Sequence, residues 1–218
     1  MKLIIGNKNY SSWSLRGWLA AKQSGLAFEE LTVPIMGEEW DRLKHDMGEV
    51  QPSSGKVPIL WDGDTVVWDS LAILEYLADK VGRARFWPKE EAARGMARAM
   101  VAEMHSGYQS LRRELPITSA PDGAARSSDQ TRQDIVRILG LWPSAGAPWQ
   151  RRAIPVRHLR RADIFYAPVV TRFVTYGIGM PGFAQAYMQA LWEHDWMAEW
   201  IGSAEEEEWV IEQYEVMA

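Results

Sequence analysis

Residues 57–81 read VPILWDGDTVVWDSLAILEYLADKV and carry the signals of three consecutive elements. The segments 57–61 and 65–68 are short and rich in β-branched and aromatic residues, which is typical of strands. Between them lies Asp62-Gly63-Asp64, a strong hairpin signal. From Ser70 onward, leucines at positions 71, 74 and 77 recur at helical spacing. We therefore predict two antiparallel strands followed by a helix.

The residues before this segment predict a strand, a helix and a second strand. Residues 2–5 form an apolar run that stops at Gly6, and the stripe of Leu15, Trp18 and Leu19 indicates a helix that ends near Gly25. Residues 28–33 are β-prone and end at Pro34. A polar, partly helical stretch at 38–45 and a loop at 51–55 follow. The predicted order is therefore βαβ-ββα.

Beyond residue 88 the strand signals almost vanish and helical patterns dominate. We predict a long helix that begins near Pro88, and further helices at 128–142, 163–176 and 183–201. The apolar face of the long helix comprises Met96, Met100, Val101, Met104, Tyr108 and Leu111. The fold class is thus α/β plus all-α, with one domain at residues 1–80, a linker at 81–87 and an all-helical domain at 88–218.

Composition excludes several classes of function. The 218 residues include no cysteine, which removes disulfides, thiolate–zinc sites, iron–sulfur clusters and a cysteine nucleophile. The net charge of −5 disfavours a nucleic-acid partner. No histidine spacing suits a metal site. The N-terminus lacks a signal peptide and no apolar run could span a membrane, so we expect a soluble, cytoplasmic protein.

The βαβ-ββα order followed by helices resembles the layout of cytosolic glutathione transferases, whose first domain is thioredoxin-like. Residues 53–60, SSGKVPIL, resemble the family segment in which a loop enters a strand through a cis-proline. The resemblance implies a cis Val57-Pro58 bond. It also implies that the backbone groups before Pro58 pair with the cysteinyl part of glutathione, as an added strand would. Taken alone, Pro58 would simply start an edge strand.

Asp69-Ser70 resembles the acidic-Ser motif at the start of the third helix of the family. Helix N-terminal amides and a hydroxyl suit the α-carboxylate of the γ-glutamyl group, and an acidic side chain suits its ammonium. The alternative is that Asp69 or Ser70 serves only as an N-cap.

Residues 10–16, YSSWSLR, lie where these enzymes keep the residue that activates the thiol. The segment is similar to the Ser-Ser-Cys-Ser motif of the zeta class, with Trp13 in place of the cysteine. The resemblance puts the catalytic serine on Ser11, with Ser12 as the alternative. Its hydroxyl would donate to the glutathione thiolate and favour the charged form. The alternative role is a turn or N-cap.

The remaining site residues are implied by position in the family. Lys44 and Lys56 lie where cationic contacts to the glycine carboxylate of glutathione occur. Trp13, Met104 and Tyr108 are candidates for the pocket that holds the second, hydrophobic substrate. Methionine and tryptophan stripes are, however, more often ordinary core.

The resemblance therefore implies a glutathione transferase that uses glutathione as co-substrate, requires no metal and acts in detoxification. Its activated thiolate would attack a small electrophile, and the same chemistry serves peroxidase or isomerase reactions. A homodimer is the family expectation. The alternative is a non-catalytic protein of the same fold that binds ligands or partners. Residues 143–161 depart from the family as a basic stretch, with Arg160 where a capping Ser or Thr is usual.

Overall fold

A computed structural model describes residues 1–118, 127–144, 159 and 161–214 of the chain. The N-terminal part contains a four-stranded sheet with strand order β2-β1-β3-β4. The strands are β1 (Lys2–Gly6), β2 (Glu29–Val33), β3 (Ile59–Asp62) and β4 (Thr65–Trp68). Strand β1 pairs parallel with β2 and antiparallel with β3, and β3 pairs antiparallel with β4. Strand β3 starts two residues later than predicted.

Successive side chains of β1 point to opposite faces of the sheet, and both faces are buried. Leu3 and Ile5 point into the large core shared with the helices α1 (Ser12–Ser24) and α3 (Ser70–Val81). Ile4 points to the opposite face, into a smaller cluster with Trp40 of α2 (Gly37–Asp46). This alternation is the period-2 pattern of a strand that is buried on both sides.

The rest of the described chain is helical. The helices are α4 (Glu91–Ser106), α5 (Gln109–Glu114), α6 (Asp129–Ser144), α7 (Arg161–Thr175), α8 (Gly182–Trp192) and α9 (Asp195–Glu205). The thioredoxin-like sheet and the helical second part confirm the predicted fold class. The domain limits at residues 80 and 88 stay a prediction.

Two of the predicted helices are wrong because each is interrupted. The long helix stops at Ser106, since Tyr108 adopts a left-handed conformation with φ of 59° and starts a new helix. Its predicted apolar face is also broken, because the side chain of Met96 is exposed. The helix predicted at 183–201 is divided at His194, whose Nδ1 accepts a hydrogen bond from the Trp196 N–H (3.1 Å) and begins α9.

Helix α7 lies at the centre of the helical part. Its Phe165, Tyr166 and Phe173 are fully buried, and the Trp142 ring meets the Tyr166 ring edge-on. The aromatic residues therefore form core, as their abundance suggests. The stretch at 143–161 lies largely outside the described residues, as does Arg160.

Across the described ranges, every helix is too short or too polar to cross a lipid bilayer.

Gly17 provides a matched test of the packing between α1 and the start of β3. A Cβ atom at position 17 would lie 2.6 Å from Cγ of Pro58, whereas a Cβ at Gly95 in α4 would meet nothing within 4 Å. We expect Gly17→Ala to lower the free energy of unfolding by about 1–3 kcal/mol through overpacking. Gly95→Ala should raise it by about 0.5–1 kcal/mol because alanine is the better helix former. Chemical denaturation measures both, and equal stability of the two variants would contradict the close approach.

Candidate active site

The segment that leads into β3 presents free backbone groups. The Val57-Pro58 peptide bond is cis. Within the described ranges, the N–H and C=O of Val57 form no hydrogen bond. The preceding residue is fixed, because the Lys56 N–H donates to Ser53 Oγ (3.0 Å). Val57 therefore offers one donor and one acceptor to an extended, peptide-like ligand.

The two predicted lysines flank this segment differently. The Lys44 side chain lies over Gly55, where a Cβ would come within 2.6 Å of its Cδ. Its Nζ pairs with Asp41 (2.6 Å), and this pairing lowers the pKa of the Asp41 carboxyl. Lys56 is exposed and forms no salt bridge with any described residue. Lys56 is thus the more available cation of the two.

The start of α3 holds a buried hydroxyl without a partner. Asp69 Oδ1 accepts from the N–H groups of Leu71 (2.8 Å) and Ala72 (3.4 Å), which makes Asp69 the N-cap. Ser70 is 1% exposed, and its Oγ has no hydrogen-bond partner among the described residues. Since Asp69 already occupies the next two amides, the groups left for an anionic ligand are the hydroxyl and N–H of Ser70 itself.

His105 of α4 joins this site from the helical part. Its Nε2 lies 3.1 Å from Asp69 Oδ2, and its ring packs edge-on against Trp13 with centroids 5.2 Å apart. Burial raises the pKa of Asp69, but the hydrogen bonds from His105 and the Leu71 amide outweigh it, so the net pKa lies below its ordinary value. His105 therefore holds Asp69 ionised and oriented.

The two candidate serines have different environments. Ser11 is the N-cap of α1, and its Oγ accepts from the Ser14 N–H (3.2 Å) and donates to Ser14 Oγ (2.8 Å). Ser14 Oγ in turn accepts from the Gly6 N–H (2.8 Å). The Ser12 hydroxyl, at the first residue of α1, has no such bond within the part of the chain that the structure describes. Its proton is therefore free for a ligand.

Two arginines contact the ring of Trp13, whose role in a substrate pocket stays a prediction. The guanidinium carbons of Arg16 and Arg112 each lie 4.6 Å from the Trp13 ring centroid. Arg16 Nε donates to the Phe165 carbonyl (3.2 Å), but its Nη1 is buried without a partner among the described residues. Arg112 bonds the Met104 carbonyl through Nη2, and its Nε and Nη1 are likewise unpartnered within the described ranges.

The arginines place positive charge in this region, and the ionised Asp69 partly offsets it by raising the pKa of Arg16. No carboxylate of the described residues forms a salt bridge with Arg16, Arg112 or the buried Arg172. Burial, followed by the charge of Arg112, lowers the pKa of Arg172 to about 9. Burial also lowers the pKa of Arg16, with Arg112 and Arg172 as additional causes. A buried positive potential stabilises an anion placed near it.

Met104 and Tyr108 belong to the core around this cluster. Met104 is 1% exposed, and its sulfur lies 3.9 Å from Arg112 Nη2. The Tyr108 hydroxyl donates to Glu103 (2.7 Å), and burial followed by this bond raises the pKa of the phenol. Their role in a substrate pocket stays a prediction. The described ranges hold no group of three or more His, Cys, Asp or Glu side chains that could share a metal ion.

Comparison with known proteins shows which protein family this chain resembles. Residues 10–80 match the family model described as the glutathione S-transferase N-terminal domain. With the fold described above, this match makes the chain similar to cytosolic glutathione S-transferases. A crystal structure of a Burkholderia glutathione transferase homologue with bound glutathione superposes with a TM-score of 0.69 at 19% identity, covering 94% of this chain and 98% of that one.

Two curated relatives illustrate the range of similar proteins. A probable maleylacetoacetate isomerase of Caenorhabditis elegans is 35% identical over 100 residues, which span 46% of this chain and only 44% of the nematode protein. A stringent starvation protein A homologue of Pasteurella multocida is 25% identical over 186 residues, or 83% of this chain and 81% of that protein.

His105 and the arginine pair were not predicted as parts of the site. His105 looks in the sequence like an ordinary polar residue of a helix, because its partner Asp69 lies 36 positions away in the chain. The one available signal was the spacing of Trp13 and Arg16 on the first turns of α1, which places both on one face.

Removing the His105 hydrogen bond should raise the pKa of Asp69. We expect His105→Leu to move that pKa toward the ordinary value, while substitution of the exposed His45 by leucine leaves it unchanged. Because the folded-state pKa of Asp69 is lowered, its contribution to stability is present above its ordinary pKa and is lost as the pH falls through the folded value. Carboxyl ¹³C NMR titration measures the shift, and identical titrations in both variants would contradict the Asp69–His105 bond.

Proposed function

We propose that the protein is a glutathione transferase that binds glutathione beside β3 and α3 and stabilises its thiolate for attack on an electrophile. Two unbonded groups carry the proposal. They are the backbone N–H and C=O of Val57 and the buried Ser70 hydroxyl at the start of α3. A buried hydroxyl without a partner costs free energy that a ligand carboxylate would recover.

Each part of the tripeptide has a complementary group in this proposal. The γ-glutamyl carboxylate meets Ser70 and the positive end of the α3 dipole, and its ammonium meets Asp69, whose side chain is 44% exposed. The cysteinyl backbone pairs with the N–H and C=O of Val57 as an added strand. The glycine carboxylate lies toward Lys56, with Lys44 as the second cation.

The thiol of the bound glutathione is the only thiol in the reaction, because the chain has no cysteine. Placed at the N-terminus of α1, it would accept a hydrogen bond from a serine hydroxyl, which favours the thiolate. Ser12 is the better donor of the two serines, since the Ser11 proton is engaged with Ser14 Oγ. The positive charges of Arg16 and Arg112 act in the same direction.

The electrophile would lie against the exposed side of Trp13. The thiolate sulfur attacks the electrophilic carbon and a carbon–sulfur bond forms, while a leaving group departs or a proton is added. Where the substrate gains negative charge during the attack, the cations of the buried Arg16 and the half-buried Arg112 favour that transition state. The nematode relative is named as a probable maleylacetoacetate isomerase. The proposal therefore includes isomerisation by the same glutathione thiolate.

Binding of glutathione is the first test. Isothermal titration should detect glutathione binding to the wild-type protein, and Ser70→Ala should weaken it by about tenfold through loss of one hydrogen bond to a charged group. Thr65→Ala, on the exposed turn end of β4, is the matched control and should bind like wild type. Failure of the wild type to bind glutathione would refute the proposal.

The two serines are separated by measuring the thiol pKa of bound glutathione from its ultraviolet thiolate absorbance. Ser12→Ala should raise this pKa and leave stability nearly unchanged. Ser11→Ala should cost about 1 kcal/mol of stability, because it removes the N-cap of α1. A bound-thiol pKa that is unchanged in both variants would contradict the assignment of the activating group to this motif.

The second candidate is a non-catalytic binding protein of the same fold. It is favoured by the relative whose alignment spans more of this chain, the stringent starvation protein A homologue, which is not named as a transferase. The two candidates differ in turnover: conjugation of an electrophile should be detectable only for the transferase. The homodimer, the cytoplasmic location and the detoxification role remain predictions from the family.

A further inference from the structure

The acidic run at residues 205–208 contains one glutamate that is turned inward. Glu205, Glu206 and Glu208 are exposed, whereas Glu207 is half-buried. Its Oε1 accepts a hydrogen bond from the Lys8 N–H (2.7 Å), and its Oε2 accepts one from the Asn9 N–H (3.2 Å). One carboxylate thus satisfies two successive backbone donors of the loop between β1 and α1.

This loop leads directly into the proposed thiol-activating motif. Asn9 lies two positions before Ser11, and the Ser11 N–H donates to the Asn7 carbonyl (2.8 Å). The Asn7 side chain accepts from the Ile35 N–H (2.9 Å) and fixes the start of the loop. Between these two fixed points, the amides of Lys8 and Asn9 are held by Glu207.

The same C-terminal segment contacts the loop at three further points. Trp200 of α9 donates through Nε1 to the Lys8 carbonyl (3.1 Å). The Lys8 ammonium lies 5.5 Å from the ring centroid of Trp200, on the same segment. The Tyr10 ring lies 6.1 Å from the ring of Tyr214. The loop is therefore in contact with α9 and with the residues that follow α9.

We propose that Glu207 is a positioning residue that fixes the loop at residues 7–11 and thereby places the serine hydroxyls against the thiol of bound glutathione. The catalytic part of this proposal rests on the proposed function. Hydroxyl donors stabilise a thiolate only within a narrow range of distance and angle, so the backbone that carries them must be held in place. Without Glu207, two amides lose their acceptors together and the loop gains freedom.

The first experiment follows the loop itself and needs no ligand. Amide hydrogen exchange of Lys8 and Asn9 in Glu207→Ala should be about tenfold faster than in wild type, because both acceptors are removed. Glu206→Ala is the matched control, one position away and exposed, and should exchange like wild type. Glu207→Gln keeps one acceptor oxygen, and its exchange rates should fall between those of the two variants. Trp200→Phe removes the Nε1 donor to the Lys8 carbonyl but keeps an aromatic ring, and so tests that contact.

The second experiment follows the chemistry. Glu207→Ala should raise the thiol pKa of bound glutathione and lower kcat by about threefold to tenfold, while the glutathione Kd stays within about twofold, because the γ-glutamyl site at α3 is untouched. Glu207→Gln should restore part of this loss.

The outcomes separate the claims. Exchange rates that match those of the Glu206→Ala control would overturn the role of Glu207 in holding the loop. Faster exchange with an unchanged thiol pKa would overturn the positioning role and leave Glu207 a structural residue. A wild-type protein that binds no glutathione would refute the proposed function and the catalytic part of this proposal, while the exchange rates would still decide whether Glu207 holds the loop.

Discussion

The close approach of α1 to Pro58 is the constraint on which the rest of the site depends. Only a residue without a side chain at position 17 lets the helix lie this near to the loop that leads into β3. Helix α1, which Ser12 begins, is thereby packed against Pro58, the residue that follows the open backbone of Val57.

The second constraint is electrostatic and crosses from the sheet to the helical part. The Arg16 side chain contacts Trp13 and donates to a carbonyl of α7. Arg172 of α7 is also buried, and Arg112 of α5 is half-buried. Buried cations without salt-bridge partners destabilise a fold, and repulsion among them adds to that cost. These unpaired cations lower the stability of the fold and create a positive potential. Such arrangements are typical of sites that bind or stabilise negative charge. The same region joins His105 to Asp69, so the two parts of the chain build the site together.

Local patterns predicted what depends on neighbouring residues. The hairpin at residues 62–64, the helix from Ser70 and the left-handed end of α1 at Gly25 follow from turn and helix signals alone. The helix break at Tyr108 was missed because a tyrosine with positive φ has no local signature. Site contacts that join distant positions, such as His105 with Asp69 and Glu207 with Lys8, were also beyond reach, since periodicity places a side chain on a face without naming its partner.

The contact between Glu207 and the loop after β1 also has a consequence for biosynthesis. The carboxylate lies 199 positions after the Lys8 amide that it holds. A ribosome therefore releases the strands, the segment at Val57-Pro58 and the first helix long before Glu207 is available to hold the loop. The sheet can assemble early, whereas the segment at residues 7–11 gains these hydrogen bonds only after Glu207 has been synthesised. Completion of this corner is a late event, and a nascent chain that already has the right topology still lacks it.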